Sequence, residues 1–234
     1  MTPRNERGSQ FPLPLPFDEQ RGPEDFFVSS SNEIAHATIE SWPEWPYPAL
    51  VLTGPEGAGK SHLAAIWAAR AGARRCAPSA ISDASVPGLA AQKRLLIEDV
   101  DRAGVDEAAF FHLINAITEP GRFLLLTARK APSDWSLATA DLVSRLRRAP
   151  MVEISAPDDA LLRALLVKLF MDRQLVVDTR VIDTIILNAE RSFAAARAIV
   201  ETLDRTALAA GRRITRAMAQ EAIAEMKRDV GGEP

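Results

Sequence analysis

The sequence predicts an α/β fold, a parallel sheet flanked by helices, followed by a small all-helical domain. Three observations predict it. Between Ala49 and Ser155, short apolar runs alternate with helical patterns. Continuous apolar runs of that length suit strands buried on both faces of a parallel sheet, and alternation of strands with helices gives a layered α/β architecture. A glycine-rich turn, TGPEGAGKSH over Thr53 to His62, lies where the first of these runs ends and a helical pattern begins. After Ser155 the apolar residues recur at helical spacing only. The domain boundaries that follow are a tail over 1–24, an α/β domain over 25–155 and a helical domain over 156–234.

The elements follow in chain order. The first stretch, MTPRNERGSQFPLPLPFDEQRGPE, is polar and rich in proline, and reads as a flexible tail. WPEWPYP before Ala49 is a loop, because each proline removes a backbone donor and disfavours helix at the residue before it. Strands are expected at ALVLT, RLLIEDV, FLLLTA and MVEIS, with a weaker one near ARRCA. SHLAAIWAARA is the helix that follows the glycine-rich turn.

In the helical domain, SAPDDALLRALLVKLFMDRQ has Pro157 early, Asp158 and Asp159 in the first turn, and apolar residues at 161, 162, 165, 166, 169 and 170. That is an amphipathic helix with a favourable start. A second helix runs through Val181, Ile182, Ile185 and Ile186, a third begins near Ser192, and a fourth near Thr215.

Bulk properties bound the function. The chain has 234 residues, 47% hydrophobic, enough for one globular unit or two small ones with a core. A formal net charge of −3 demands no bulk attraction to DNA or acidic lipid. The lone Cys76 excludes an internal disulfide and reads as a small buried residue. With a polar start and no apolar run of about 20 residues, a cytoplasmic location is expected.

The glycine-rich turn carries the chemistry. Gly54-Pro55-Glu56-Gly57-Ala58-Gly59-Lys60-Ser61 matches G-x-x-x-x-G-K-[ST] at every fixed position, after a strand and before a helix. The glycines let the backbone curl so that its N–H groups converge on phosphate oxygens, and the helix N-terminus adds positive potential. Lys60 is positioned for the terminal phosphates and the Ser61 hydroxyl for Mg²⁺. Pro55, Ala58 and His62 complete the expected nucleotide-binding stretch; no acid–base role is assigned to His36, His62 or His112. A second candidate lies at the end of RLLIEDVD, where Glu98 is the expected Mg²⁺ carboxylate and Asp99 the water-orienting acid. The usual order is an Asp followed by a Glu; here the lengths are exchanged, which argues against fast hydrolysis rather than against nucleotide binding.

This constellation resembles the AAA+ class of ATPases and, within it, the DnaA family of bacterial replication initiators, over about residues 25 to 228. DFFVSSSNEIAHA resembles the family's segment leading to the adenine site. FFHLINAITEPGRFLLLTARKAP resembles the stretch ending in its sensor 1 strand, with Thr127 at the polar position. ATADLVSRLRRAP resembles the box carrying the arginine finger, which places Arg145 there; Arg147 and Arg148 lie close enough to leave the register open. RAIVETLDR resembles the sensor 2 helix, placing Arg197 at the position that contacts nucleotide from the lid.

QFPLPLPF resembles the short motif by which bacterial proteins dock on the replicative sliding clamp, with Gln10, Leu13 and Leu15 as anchors. A proline-rich segment is already extended and loses less entropy on docking. The resemblance implies a clamp-associated, DnaA-related regulator of replication initiation. It would hold ADP or ATP with Mg²⁺, have little or no ATPase activity of its own, and supply Arg145 to ATP bound by DnaA. The implied partners are DnaA and the sliding clamp, the β subunit of DNA polymerase III, with a homodimer also open. No DNA-binding domain is expected after the fourth lid helix. Two other readings stand beside this one: a helicase-loader-like ATPase that consumes ATP in each cycle, and a structural adaptor whose phosphate loop is vestigial.

Overall fold

The computed structural model describes residues 26–102, 104–117 and 121–230. The tail, with Gln10, Leu13 and Leu15, lies outside the described residues. The α/β part runs α1 (Glu33–Glu40), β1 (Ala49–Thr53), α2 (Lys60–Ala71), β2 (Arg74–Cys76), α3 (Val86–Ala90), β3 (Arg94–Ile97), α4 (Glu107–Ile117), β4 (Phe123–Ala128), α5 (Ala140–Leu146) and β5 (Met151–Glu153). The five strands form one parallel sheet in the order β2-β3-β4-β1-β5.

Side-chain alternation divides the strand residues between two cores. Val51, Leu95, Ile97, Leu124 and Leu126 face the side covered by α3, α4 and α5. Leu50, Leu52, Leu96, Leu125 and Val152 face α1 and α2. Burying each such side chain stabilises the fold by about 1.5–3 kcal/mol. All five residues of β1 are buried, so the strand that delivers the glycine-rich loop is among the most firmly held. Four aromatic rings brace the α2 face: Trp45 stacks on Trp67 at 5.5 Å, and Trp42 meets Trp67 and Phe123 edge-on at 6.3 and 5.6 Å.

The expected strands all form, several of them shorter than their apolar runs. β3 stops at Ile97 because the chain then leaves the ladder, with Asp99 at a left-handed φ of +53°. β2 is the ARRCA candidate, reduced to three residues at the sheet edge. Cys76 there is only half-buried, which corrects its reading as a buried residue, and partial burial pushes its thiol pKa up.

Helices α6 (Asp159–Asp172), α7 (Thr179–Asn188), α8 (Phe193–Ala210) and α9 (Arg216–Val230) enclose their own core, with Leu166, Phe170, Ile185, Val200 and Leu203 at its centre. Each of the first three starts on a side-chain cap: Asp158 accepts from the Leu161 N–H at 2.8 Å, Asp178 from Arg180 at 2.8 Å, and Ser192 from Ala195 at 3.0 Å. No described helix is long and apolar enough to cross a membrane.

Asp158 also accepts the Ser30 hydroxyl at 3.0 Å, joining the segment before α1 to the first lid helix. The Leu161 N–H, helped by Ser30, holds its carboxyl below the usual Asp value. Asp158→Ala is expected to cost about 1 kcal/mol of stability at neutral pH. The sign follows from the lowered folded-state pKa. The contribution is present above the unfolded-state value near 3.9 and disappears as pH falls through the folded one. Urea midpoints of variant and parent should therefore differ at pH 7 and converge on acidification.

Candidate functional site

The loop leaving β1 is shaped by contacts that leave no room for side chains. Gly54 has φ +146°, and a Cβ there would lie 2.1 Å from the Ile154 carbonyl oxygen. That oxygen is close because β5 pairs with β1 and the Ile154 N–H donates to the Thr53 carbonyl at 2.8 Å. Gly57 has φ +71°, and a Cβ there would meet the Ser192 Cβ at 2.8 Å. The Ala58 N–H closes a turn on the Pro55 carbonyl at 3.3 Å, and Ala58 itself is buried. Gly59 is the N-cap of α2, so Lys60 and the half-buried Ser61 occupy its first turn.

The Lys60 side chain turns back over the loop. Its ammonium donates to the carbonyls of Gly54 at 2.8 Å and Pro55 at 2.9 Å, and the residue is 6% exposed. Burial pulls its pKa below the ordinary Lys value, opposed by the negative charges of Asp99 and Asp101. These two acids, both following β3, therefore share the electrostatic field of Lys60.

The acids after β3 point to different partners. Glu98 accepts from the Arg75 guanidinium of β2 at 2.9 Å. The Asp99 N–H donates to Thr127 Oγ1 at 3.0 Å, and the Val100 N–H to the Thr127 carbonyl at the same distance. Thr127 is fully buried on β4, so the expected sensor residue touches the acid turn directly. Asp101 accepts from the N–H groups of Arg129 and Lys130 at 2.7 and 3.2 Å. The guanidinium of Arg129 forms an ion pair with Glu56 in the glycine-rich loop, and Arg102 approaches Glu56 at 3.5 Å and Asp99 at 3.7 Å. No group of three His, Cys, Asp or Glu among the described residues could hold a metal alone. Mg²⁺ characteristically uses one or two carboxylates with phosphate oxygens and water, and Ser61 with the acids after β3 fits that mode.

The helical domain meets the same loop. The Phe193 N–H, at the start of α8, donates to the Gly57 carbonyl at 2.9 Å. Arg197 lies four residues on, and residues four apart on a helix share a face, so it stands one turn above that contact. From the other side, Phe26 stacks on His36 at 5.6 Å and meets His62 edge-on at 5.3 Å. A Cβ on Gly59 would lie 3.2 Å from Phe193 and 4.0 Å from Phe26. Two aromatic rings therefore flank the start of α2.

The structure thus gathers Gly54, Pro55, Gly57, Ala58, Gly59, Lys60, Ser61, His62, Asp99 and Thr127 with the α8 turn that carries Arg197. It turns Glu98 toward β2. Arg145 stands apart in the last turn of α5, half-buried, with Arg147 and Arg148 exposed beyond it. Among the described residues none of these three makes an ion pair. Asp101, Arg129, Phe26 and Phe193 escaped the sequence reading. For Asp101 a signal was present, a third acid in EDVD at the strand end, and Phe26 lies in the DFFVSSSNEIAHA segment that resembles the approach to the adenine site; for Arg129 and Phe193 the signal is spatial only.

The sequence matches no protein-family model and no curated protein. Solved structures do match. The replication initiator DnaA bound to AMPPCP and single-stranded DNA aligns with 76% of this chain at 20% identity and a TM-score of 0.65; this chain spans 62% of that one. Domain III of DnaA from Thermotoga maritima aligns with 90% of this chain and 98% of its own length, at 17% identity and TM-score 0.75. The Holliday junction branch migration motor RuvB from Thermotoga maritima aligns with 76% of this chain and 61% of its own, at 15% identity and TM-score 0.61. At these identities the likeness concerns the fold alone: a five-stranded parallel sheet flanked by helices and followed by a helical domain, as in those DnaA and RuvB structures.

Proposed function

We propose that this protein is a nucleotide-bound regulator of replication initiation of the Hda type. In this reading it docks on the sliding clamp and accelerates hydrolysis of ATP held by DnaA. The observation that carries it is the Phe193–Gly57 contact, which seats the lid on the phosphate loop. A nucleotide in that loop would order both domains at once, a structural role rather than one of fuel. ADP is the form that fits best, with Mg²⁺ held by Ser61 and an acid after β3. Bound Mg²⁺ supplies charge that neutralises phosphate. Lys60 and the loop N–H groups hold the phosphates, Arg197 reaches them from the lid, and Phe26 and His62 offer apolar ring faces for the base.

The protein's own hydrolysis is proposed to be weak. Glu98 is engaged by Arg75 and Asp99 is a short acid on a strained turn, so neither is arranged as a free water-orienting group. Arg145, unpaired among the described residues, is the side chain offered to a neighbour's γ-phosphate, where an arginine's charge counts most in the transition state.

Clamp docking rests on QFPLPLPF. Replacing Gln10, Leu13 and Leu15 together by Ala is expected to abolish recovery of the clamp in a pull-down. Clamp-dependent stimulation of DnaA should fall with it, while the thermal midpoint stays close to that of the parent, because a polar, proline-rich tail is expected to add little to the folding energy. Equal clamp recovery by altered and parent proteins would remove the tail from the mechanism.

A further inference from the structure

Glu107 opens α4, and nothing in the nucleotide chemistry uses it. Its two carboxylate oxygens accept from two successive backbone N–H groups, Ala138 at 2.9 Å and Thr139 at 2.8 Å. Those residues lead directly into α5, the helix whose last turn carries Arg145. Thr139 is the N-cap of α5, yet its own side chain makes no capping bond. Helices this short are not stable by themselves. Two buried leucines, Leu142 and Leu146, hold α5 against the sheet, and the Glu107 carboxylate supplies the polar anchor at its entrance.

The anchor has a counterpart. Asp101, six residues earlier, accepts from Arg129 and Lys130 at the start of the same connection. Between the two anchors the buried Trp135 donates its indole N–H to the Lys130 carbonyl at 2.8 Å. The stretch from Arg129 to Thr139 is therefore pinned at both ends by carboxylates from the segment that follows the acid strand. Its first residue, Arg129, is paired with Glu56 of the phosphate loop. The backbone N–H groups hold the Glu107 carboxyl below the usual Glu value, as expected for a carboxylate that is an acceptor in the folded state.

We propose that Glu107 is a positioning residue for the arginine finger: by holding the Ala138 and Thr139 amides it fixes the direction in which α5 presents Arg145. The proposal rests on the assignment of Arg145 given above. A guanidinium that must meet a neighbour's phosphate loses much of its effect on displacement by about 1 Å, which can cost as much as a hundredfold in rate.

The test uses the full chain and three variants: Glu107→Ala, Glu107→Gln and Arg145→Ala, with the Glu107→Ala/Arg145→Ala double. Hydrogen exchange reads the anchor directly. The Ala138 and Thr139 amides should exchange roughly tenfold faster in Glu107→Ala, the loss of a hydrogen bond to a charged group, and by less in Glu107→Gln, which keeps one acceptor oxygen. Single-turnover hydrolysis of DnaA-bound ATP reads the consequence. Glu107→Ala should stimulate roughly ten- to a hundredfold less than the parent, Glu107→Gln should recover part of that loss, and the double variant should be no worse than Arg145→Ala alone.

ADP retention and clamp binding should not change, which a general loss of structure would not spare. Unchanged exchange at Ala138 and Thr139 overturns the proposal. So does full stimulation by Glu107→Ala when Arg145→Ala has lost it, and that outcome leaves the finger standing. Full stimulation by Arg145→Ala overturns the finger assignment and this proposal together.

Discussion

Lys60→Ala is expected to abolish the rise in thermal midpoint that ADP produces in the parent protein. A ligand that binds only the folded state stabilises it by about 2.7 kcal/mol at a hundred times its Kd, and Lys60 is the cation nearest the loop that would hold the phosphates. The variant will also lose stability without nucleotide. Its ammonium is the donor for the Gly54 and Pro55 carbonyls, and removing one partner of a buried hydrogen bond costs about 1–3 kcal/mol. The two effects separate by titration: the intrinsic loss is constant, whereas the ligand contribution grows with ADP in the parent and stays flat in the variant. Calorimetric titration of both proteins with ADP and with ATP is the direct check. Equal affinity in parent and variant would leave the loop without its proposed ligand. Steady turnover of ATP by the parent would favour a motor over a regulator.

Much of this site was legible in the sequence because its logic is local. Glycines at +146° and +71° give the turn between β1 and α2 its backbone, and the pattern from Gly54 to Ser61 carries them in eight letters, although the atoms that crowd them, at Ile154 and Ser192, lie far away in the chain. The starts of the lid helices were legible for the same reason, since Asp158 and Ser192 bond to amides three residues away. What could not be read was pairing over distance. Sheet order puts β2 beside β3, so Arg75 meets Glu98 across two strands. The Arg129–Glu56 pair forms only because β4 lies next to β1. Helix α1 carries only a sparse apolar pattern, two buried residues, Ala35 and Ile39, in eight. What sets its start is the buried Asn32, whose amide oxygen accepts from the Ser29 N–H and whose NH₂ donates to the Phe27 carbonyl. Phe26 drew no attention as a ring beside His62 because 36 residues separate them.

Arg145→Ala should keep its own nucleotide and still bind the clamp, yet lose stimulation of hydrolysis on DnaA by roughly 10³- to 10⁵-fold, the contribution of an arginine finger to phosphoryl transfer. The physical reason is differential. A guanidinium facing the γ-phosphate of a neighbour gains most when charge spreads over the transferring oxygens, so its removal raises the barrier more than it weakens assembly. The site on α5 suits that task. Leu142 and Leu146 bury one face of the helix, Arg145 stands at the margin of that face, half-exposed in the last turn, and no acid among the described residues competes for it. Arg147 and Arg148 follow where the helix has ended, Arg147 at the C-cap. They stand at and beyond the helix end, past the turn that carries Arg145, so Arg147→Ala and Arg148→Ala should each cost far less. Lys at 145 should rescue little, because an ammonium lacks the planar, multi-donor fork. The assay is single-turnover hydrolysis on DnaA with loaded clamp, comparing all four variants at one concentration. If Arg145→Ala stimulates as the parent does while Arg147→Ala or Arg148→Ala does not, the finger lies beyond the helix end. If all four stimulate fully, the charge that completes DnaA's site comes from elsewhere.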